Sequence, residues 1–448
     1  MTLVPHVLGL PYNGAREGET EQTIRVPFRV PRAATRVRLH LAPGLQDAEE
    51  STLDVTGVQL TGAHLGRRGT GGVMSSILHS WGGADLSSGA WASQWADVGL
   101  VPGADYIISY AYTNPSGRSI AAGTMAAFRN PSAAEHANVG GGTWALDTMR
   151  VGPMSPALVL DVDGTPVTVA VVGDSNAAGR GANLPYHETY AHITGRATGR
   201  VVIPLGYTGE TTSDYDLVSP KWTRVLGLAG LTHVDAVVIA SGINDLNIGR
   251  TAALTLSNLD RVVTRARAIT DGPVHVATLP PASWTGTKET ERQAYNEALR
   301  AGGHGDGVID LDAVLRSTST PSQIAAGYAG TDAIHYGTAG HAAAADALVP
   351  LIESLTAPAE PDGWHVLASG QTAPLAGTDI ERPPSASIVR YTRTASQTVT
   401  PTNMWGVEVT VRDGVVTAVN DRNTTSAPAT PIPQDGYVLS GNFTLRSW

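Results

Sequence analysis

The chain has 448 residues, longer than one ordinary domain, so two or three domains are expected. Its 42% hydrophobic and 16% charged residues exclude a disordered polypeptide, and its formal net charge of -10 argues against nucleic acid and anionic membrane surfaces as partners. The absence of cysteine excludes disulfides, a thiolate nucleophile and cysteine-bound metal. No apolar run reaches the roughly 18 residues that a membrane-spanning helix needs. The opening Met1-Thr2-Leu3-Val4-Pro5 lacks the basic segment and apolar core of a signal peptide.

Residues 1–165 read as β-rich. Thr23–Val30 and Thr35–Leu41 alternate apolar and polar side chains, the period of a strand with one buried face. Shorter strands are predicted at Leu53–Val55 and Tyr106–Tyr110, between turns rich in Gly, Pro and Ser. That spacing points to a β-sandwich or jelly roll with a possible glycan-binding role. Leu160-Asp161-Val162-Asp163-Gly164-Thr165 matches the DxDGT pattern of haloacid-dehalogenase-type phosphatases, but the next strand follows at once. A hairpin closed by an Asp-Gly turn fits it better.

From 166 to 357 the pattern changes. Strand-like runs at Val167–Val172, Arg200–Pro204, Val234–Ala240, Val274–Leu279 and Val308–Leu311 alternate with helical patterns at Glu188–Thr198, Ala252–Ile269, Glu289–Ala301 and Thr338–Leu355. Strand–helix alternation implies a parallel sheet covered on both faces. The remainder, 358–448, opens on a linker through Ala359-Glu360-Pro361-Asp362-Gly363 and reads as a small β-rich module. In it, Val407–Val411, an Asp413-Gly414 turn and Val415–Val419 form a hairpin.

The chemistry lies in the middle region. Gly173-Asp174-Ser175-Asn176 follows a buried strand, which places Ser175 at the strand's carboxyl end, where α/β sheets hold their functional groups. Gly242-Ile243-Asn244-Asp245 follows the third strand, and Asp332-Ala333-Ile334-His335 precedes the last helix. A serine hydroxyl needs a base, which His335 can supply; Asp332, three residues earlier, can hold the other imidazole nitrogen. A helix cap at Thr338 would anchor that turn.

With a GDS turn, a lone glycine, a GxND turn and a DxxH segment in this order, the middle region resembles the SGNH (GDSL-type) hydrolase family. The resemblance implies a flavodoxin-like α/β/α fold, a Ser175–His335–Asp332 triad, and an oxyanion hole formed by the Ser175 N–H, the N–H of a glycine and the Asn244 side chain. For the glycine, Gly209 is preferred over Gly206, because it follows the strand Val201–Pro204. Asn176 departs from the leucine of the family's name. No metal or organic cofactor is expected.

Other signals have bland explanations. His187, His192, His233, His275, His304 and His341 lack the spacing of metal ligands and read as structural or surface residues, His341 as part of a solvated helix start. Trp81, Trp91, Trp95, Trp144, Trp364 and Trp405 could stack on sugar rings, although burial in a β core is the commoner fate. The whole therefore reads as a serine esterase acting through an acyl-enzyme, most readily removing O-acetyl groups from a polysaccharide. The alternatives are a longer-chain lipase, an acyltransferase, and a glycan-binding adhesion protein with a vestigial hydrolase core. Flanking β modules and the lack of a signal peptide favour an extracellular or virion-associated, tail-type setting. The implied partner is an acylated glycan or another ester.

Overall fold

The computed structural model describes residues 2–8, 15–17, 20–42, 56–87, 90–115, 118–120, 127–147, 155–216 and 220–355, together with seven strands beyond 363. The chain divides into two compact units, Met1–Thr356 and Ala357–Trp448.

The first unit begins with antiparallel sheets. One has the strand order Thr2–Val7, Ser155–Val162, Ala34–Ala42, Trp91–Ala92. A larger one runs from Ala145–Asp147 through Ala127–Asn130, Glu21–Phe28, Tyr106–Thr113 and Gln59–Arg68 to Met74–Trp81. The alternation seen in the sequence at Thr35–Leu41 is the pairing face itself: Val37, Leu39 and Leu41 are wholly buried, while Arg36, Arg38 and His40 between them are not. The predicted strand at Leu53–Val55 lies outside the described residues.

The Asp163-Gly164 turn does not close a hairpin. Ser155–Val162 pairs with Thr2–Val7 and Ala34–Ala42 in the antiparallel sheet, whereas the next strand enters a different, parallel sheet. Gly164, at φ 71, turns the chain between the two. Asp161 of the DxDGT match is buried and accepts a hydrogen bond from Arg36 Nε at 2.7 Å, an ion pair that holds the strand.

The parallel sheet consists of β1 (Thr168–Gly173), β2 (Val201–Gly206), β3 (Ala236–Ala240), β4 (Val274–Ala277) and β5 (Gly307–Ile309). Their spatial order is β2-β1-β3-β4-β5. The helices are α1 (Pro185–Glu188), α2 (Tyr190–Thr198), α3 (Pro220–Gly227), α4 (Ile243–Asn247), α5 (Ala252–Ala266), α6 (Thr287–Ala301), α7 (Leu311–Leu315) and α8 (Thr338–Ser354). The strands of the sheet are largely apolar because both of its faces are covered. Val169 and Val171 join a core with Ala191, Leu348 and Ile352 from α2 and α8. Ala170 and Val172 face the opposite core, with Leu226, Leu259 and Leu299 from α3, α5 and α6. That second core continues into the antiparallel sheets through Val4, Val26 and Phe28.

The tryptophans of the antiparallel sheets are engaged within the protein. Trp81 is buried and its Nε1 donates to Gln94 O at 2.9 Å. Arg36 and Arg38 lie over the Trp95 ring, and Arg25 lies 3.7 Å from the Trp144 ring centroid.

Among its described residues the second unit forms an antiparallel sheet, in which Val407–Arg412 pairs with Val415–Asp421 as the hairpin expectation required. The linker and the Asp413-Gly414 turn lie outside the described residues, as does Trp405. Among the described residues no helix is long and apolar enough to cross a membrane.

Candidate active site

In this strand order the chain leaves β1 toward β2 on one side and returns to β3 on the other. The loops at the carboxyl ends diverge at β1 and leave a crevice there. All the predicted groups come from that edge or from the segment that closes it. Ser175 follows β1, Gly209 follows β2, Asn244 lies in α4 directly after β3, and His335 precedes α8.

Close approach of the backbone makes the crevice possible. Gly173 pairs with Gly206 on one side and Ala240 on the other. A Cβ on Gly173 would lie 2.3 Å from Ala240 O, and one on Gly206 would lie 2.5 Å from Ala178 N. Two glycines therefore let the Ser175 turn sit down onto the strand ends.

Ser175 Oγ is 2.8 Å from His335 Nε2, and His335 Nδ1 is 2.7 Å from Asp332 Oδ2. Asp332 Oδ1 also accepts from the backbone N–H of Ile334 and of His335, at 2.9 and 2.8 Å. Asp332 thus holds both the ring and its turn. Burial would raise the Asp332 pKa, but the imidazole and the two amides outweigh it and bring the carboxyl down to about 2. Burial lowers the His335 pKa from its ordinary value, and the hydrogen bond and charge of Asp332 oppose that only in part. Asp174, beside the serine, is buried and its carboxyl is pushed up to about 7.

Two side chains read otherwise in the sequence tie the histidine segment to the chain after β1. Asn176 Nδ2 donates to Ile334 O, and its Oδ1 accepts from Tyr336 N, each at 3.4 Å. The departure from leucine therefore spans His335 on both sides. Thr338 is not the helix cap. Gly337 occupies that position without a side-chain bond, and Thr338 Oγ1 instead donates to Glu188 Oε2 at 3.0 Å and accepts from Asn183 N. The signal for Asn176 was its place inside the GDS turn; Thr338 reads locally as a helix cap, because its partners Glu188 and Asn183 are distant in sequence.

Gly209 is exposed in a turn at φ 84, and Asn244 Nδ2 donates to Glu210 O at 2.8 Å, so the second and third turns are in contact. His341 is wholly buried rather than solvated, stacked on Tyr190 with Nε2 3.2 Å from Arg180 O. His187 and His192 are buried as well, while His304 pairs with Asp260.

The model of the GDSL-like lipase/acylhydrolase family matches residues 171–343. The middle domain is an SGNH hydrolase. The matched span contains the serine turn, the GxND turn and the DxxH segment, and the protein is a serine esterase. No curated protein matches the chain significantly. Solved structures similar to it include a member of the lipolytic G-D-S-L family from Veillonella parvula, at 20% identity over 42% of this chain and 100% of that one, with a TM-score of 0.36. A family two carbohydrate esterase from Clostridium thermocellum in complex with cellohexaose shares 14% identity over 76% of this chain and 98% of its own, with a TM-score of 0.36. One from Cellvibrio japonicus shares 12% over 79% and 98%, with a TM-score of 0.35. At such identities the SGNH domain's own residues have to carry any statement about substrate.

Proposed function

We propose that this serine esterase removes short acyl groups, above all O-acetyl, from a carbohydrate, with Ser175 as nucleophile, His335 as general base and acid, and Asp332 orienting the imidazole. The observation that supports this reading most is the unbroken line of hydrogen bonds from Asp332 through His335 to the Ser175 hydroxyl.

His335 Nε2 takes the proton from Ser175 Oγ as Oγ bonds to the ester carbonyl carbon. The carbonyl electron pair moves onto oxygen, where the N–H of Ser175, the N–H of Gly209 and Asn244 Nδ2 would stabilise it. Collapse expels the alcohol, which leaves with the proton from His335. A water molecule, deprotonated by the same nitrogen, then attacks the acyl-enzyme and releases the acid and the free serine. Both attack steps, by serine and by water, need a neutral imidazole to accept the proton, and burial of His335 favours that form.

The short acyl group is inferred from the apolar surface. A long chain gains about 0.8 kcal/mol per buried methylene only where a continuous apolar groove receives it. Of the large apolar side chains exposed among the described residues, only Ile248 directly follows the helix that carries Asn244. The carbohydrate is inferred from the flanking β-rich regions, the first of which we read as a β-sandwich.

The test is hydrolysis of p-nitrophenyl esters from acetate to palmitate and of acetylated oligosaccharides, with Ser175→Ala as control. Acetate turnover that falls with chain length, extends to the oligosaccharide and vanishes in the variant is the expected result. Preference for palmitate would make the protein a lipase, and sugar binding without turnover would make it an adhesion module.

A further inference from the structure

The loop after β2 has little regular structure of its own, yet one carboxylate fastens it to the turn after β3. Asp245 is wholly buried. Its Oδ2 accepts from Thr212 N at 2.8 Å, and its Oδ1 accepts from Thr212 Oγ1 and from Arg250 NH1, each at 2.7 Å. A buried carboxylate is costly unless its lone pairs are satisfied, and here three donors meet it, one of them charged. Thr212, also buried, lies three residues after Gly209, and Asp245 is the neighbour of Asn244. A second tie runs beside the first, from Asn244 Nδ2 to Glu210 O at 2.8 Å. That bond uses one of the two amide protons of Asn244 and leaves the other to point elsewhere. Two residues that follow Gly209 are therefore fixed to Asn244 and to its neighbour Asp245, while Gly209 itself sits exposed at φ 84.

We propose that Asp245 is a positioning residue that assembles the oxyanion hole, by locking the Gly209 loop through Thr212 against the turn that carries Asn244. Arg250 completes the clamp, its NH1 lying 2.7 Å from Asp245 Oδ1. The inference rests on the reading of Gly209 and Asn244 as oxyanion donors. Because such donors act only when aimed at the developing charge, loosening them lowers turnover and leaves ground-state binding nearly unchanged.

The experiment measures kcat and KM on p-nitrophenyl acetate for Asp245→Asn, Thr212→Val and Thr212→Ser, each with and without Asn244→Ala, alongside thermal unfolding. Asn244→Ala alone is expected to lower kcat about 10²–10³-fold. Asp245→Asn should lower kcat about 10–100-fold with KM within about threefold, and should cost less once Asn244 is already removed, because only the Gly209 donor then remains to be misplaced. Thr212→Val, which removes one hydroxyl and reads the same quantity should Asp245→Asn fail to fold, should lower kcat, and Thr212→Ser should restore it. Full additivity of the Asp245 and Asn244 losses, or an unchanged kcat in folded Asp245→Asn, would overturn the inference. An unchanged kcat in Asn244→Ala would instead overturn the oxyanion assignment beneath it.

Discussion

Ser175 Oγ and His335 Nε2 meet at 2.8 Å across 160 residues of chain. The contact depends on Asn176, whose amide grips the backbone on both sides of the histidine, and on Asp332, which holds the ring from behind. The serine turn and the histidine segment are thus fastened to each other next to the pair that must react.

Asp332→Asn tests how much of the rate depends on the ring's orientation. In a triad with a fully buried acid the loss is about 10⁴-fold. The Asp332 side chain is 45% exposed, and water can replace part of its effect. The expected loss in kcat is therefore smaller, about 10²–10³-fold, with KM little changed. Steady-state kinetics on p-nitrophenyl acetate decides it; a loss below about threefold would make His335 self-sufficient.

The pH profile follows from the environment of His335. Only neutral imidazole accepts the serine proton, and burial holds its pKa below 6.5. Plotted against pH, kcat/KM should rise with a midpoint below 6.5 and stay flat above it. A midpoint above 6.5 would mean that Asp332 outweighs burial, and no dependence at all would remove His335 as the base.

Stability should fall in mild acid. His6, His187 and His341 are buried, and burial lowers their pKa values to about 4, 3 and 4. His192, whose Nε2 lies 3.2 Å from Val7 O where the antiparallel sheets meet the SGNH domain, is lowered by burial as well. Between pH 6.5 and 4 the unfolded chain binds protons at these sites and the folded chain does not, so stability declines as pH falls, by about 1.4 kcal/mol per pH unit for each such group. Asp174 acts in the opposite sense, because its folded pKa of about 7 favours the protonated native state over the same range. Four histidines outweigh one carboxyl, and the melting temperature at pH 5 should lie clearly below that at pH 7.5. An unchanged melting temperature would show that these rings are hydrated in solution.

Arg25→Met addresses the antiparallel sheets. The guanidinium is wholly buried and donates to Ser109 Oγ, Gly72 O and the carbonyls of Glu135 and Asn138. Methionine fills the volume but leaves those carbonyls without their donor, at a cost of about 3 kcal/mol or more. Denaturant unfolding should show the loss, and a change under about 0.5 kcal/mol would mean that water enters and replaces the donors.

The sequence by itself determined the parallel sheet and the serine, asparagine and histidine turns. Short β-branched runs such as Val167–Val172, closed by a Gly-led turn, read as strands buried on both faces, and turn chemistry is written within a few adjacent residues. It missed α1, α4 and α7, whose four or five residues are too short to show a helical period, and the eight-residue α3. Only the tertiary structure decided that Asp163-Gly164 joins two sheets instead of closing a hairpin, that His341 is buried, that Thr338 binds Glu188, and that Asp245 grips Thr212. Each of these depends on which distant segment lies alongside, and such a pairing is set by the packing of whole sheets and helices, which leaves no mark on the residues next in line.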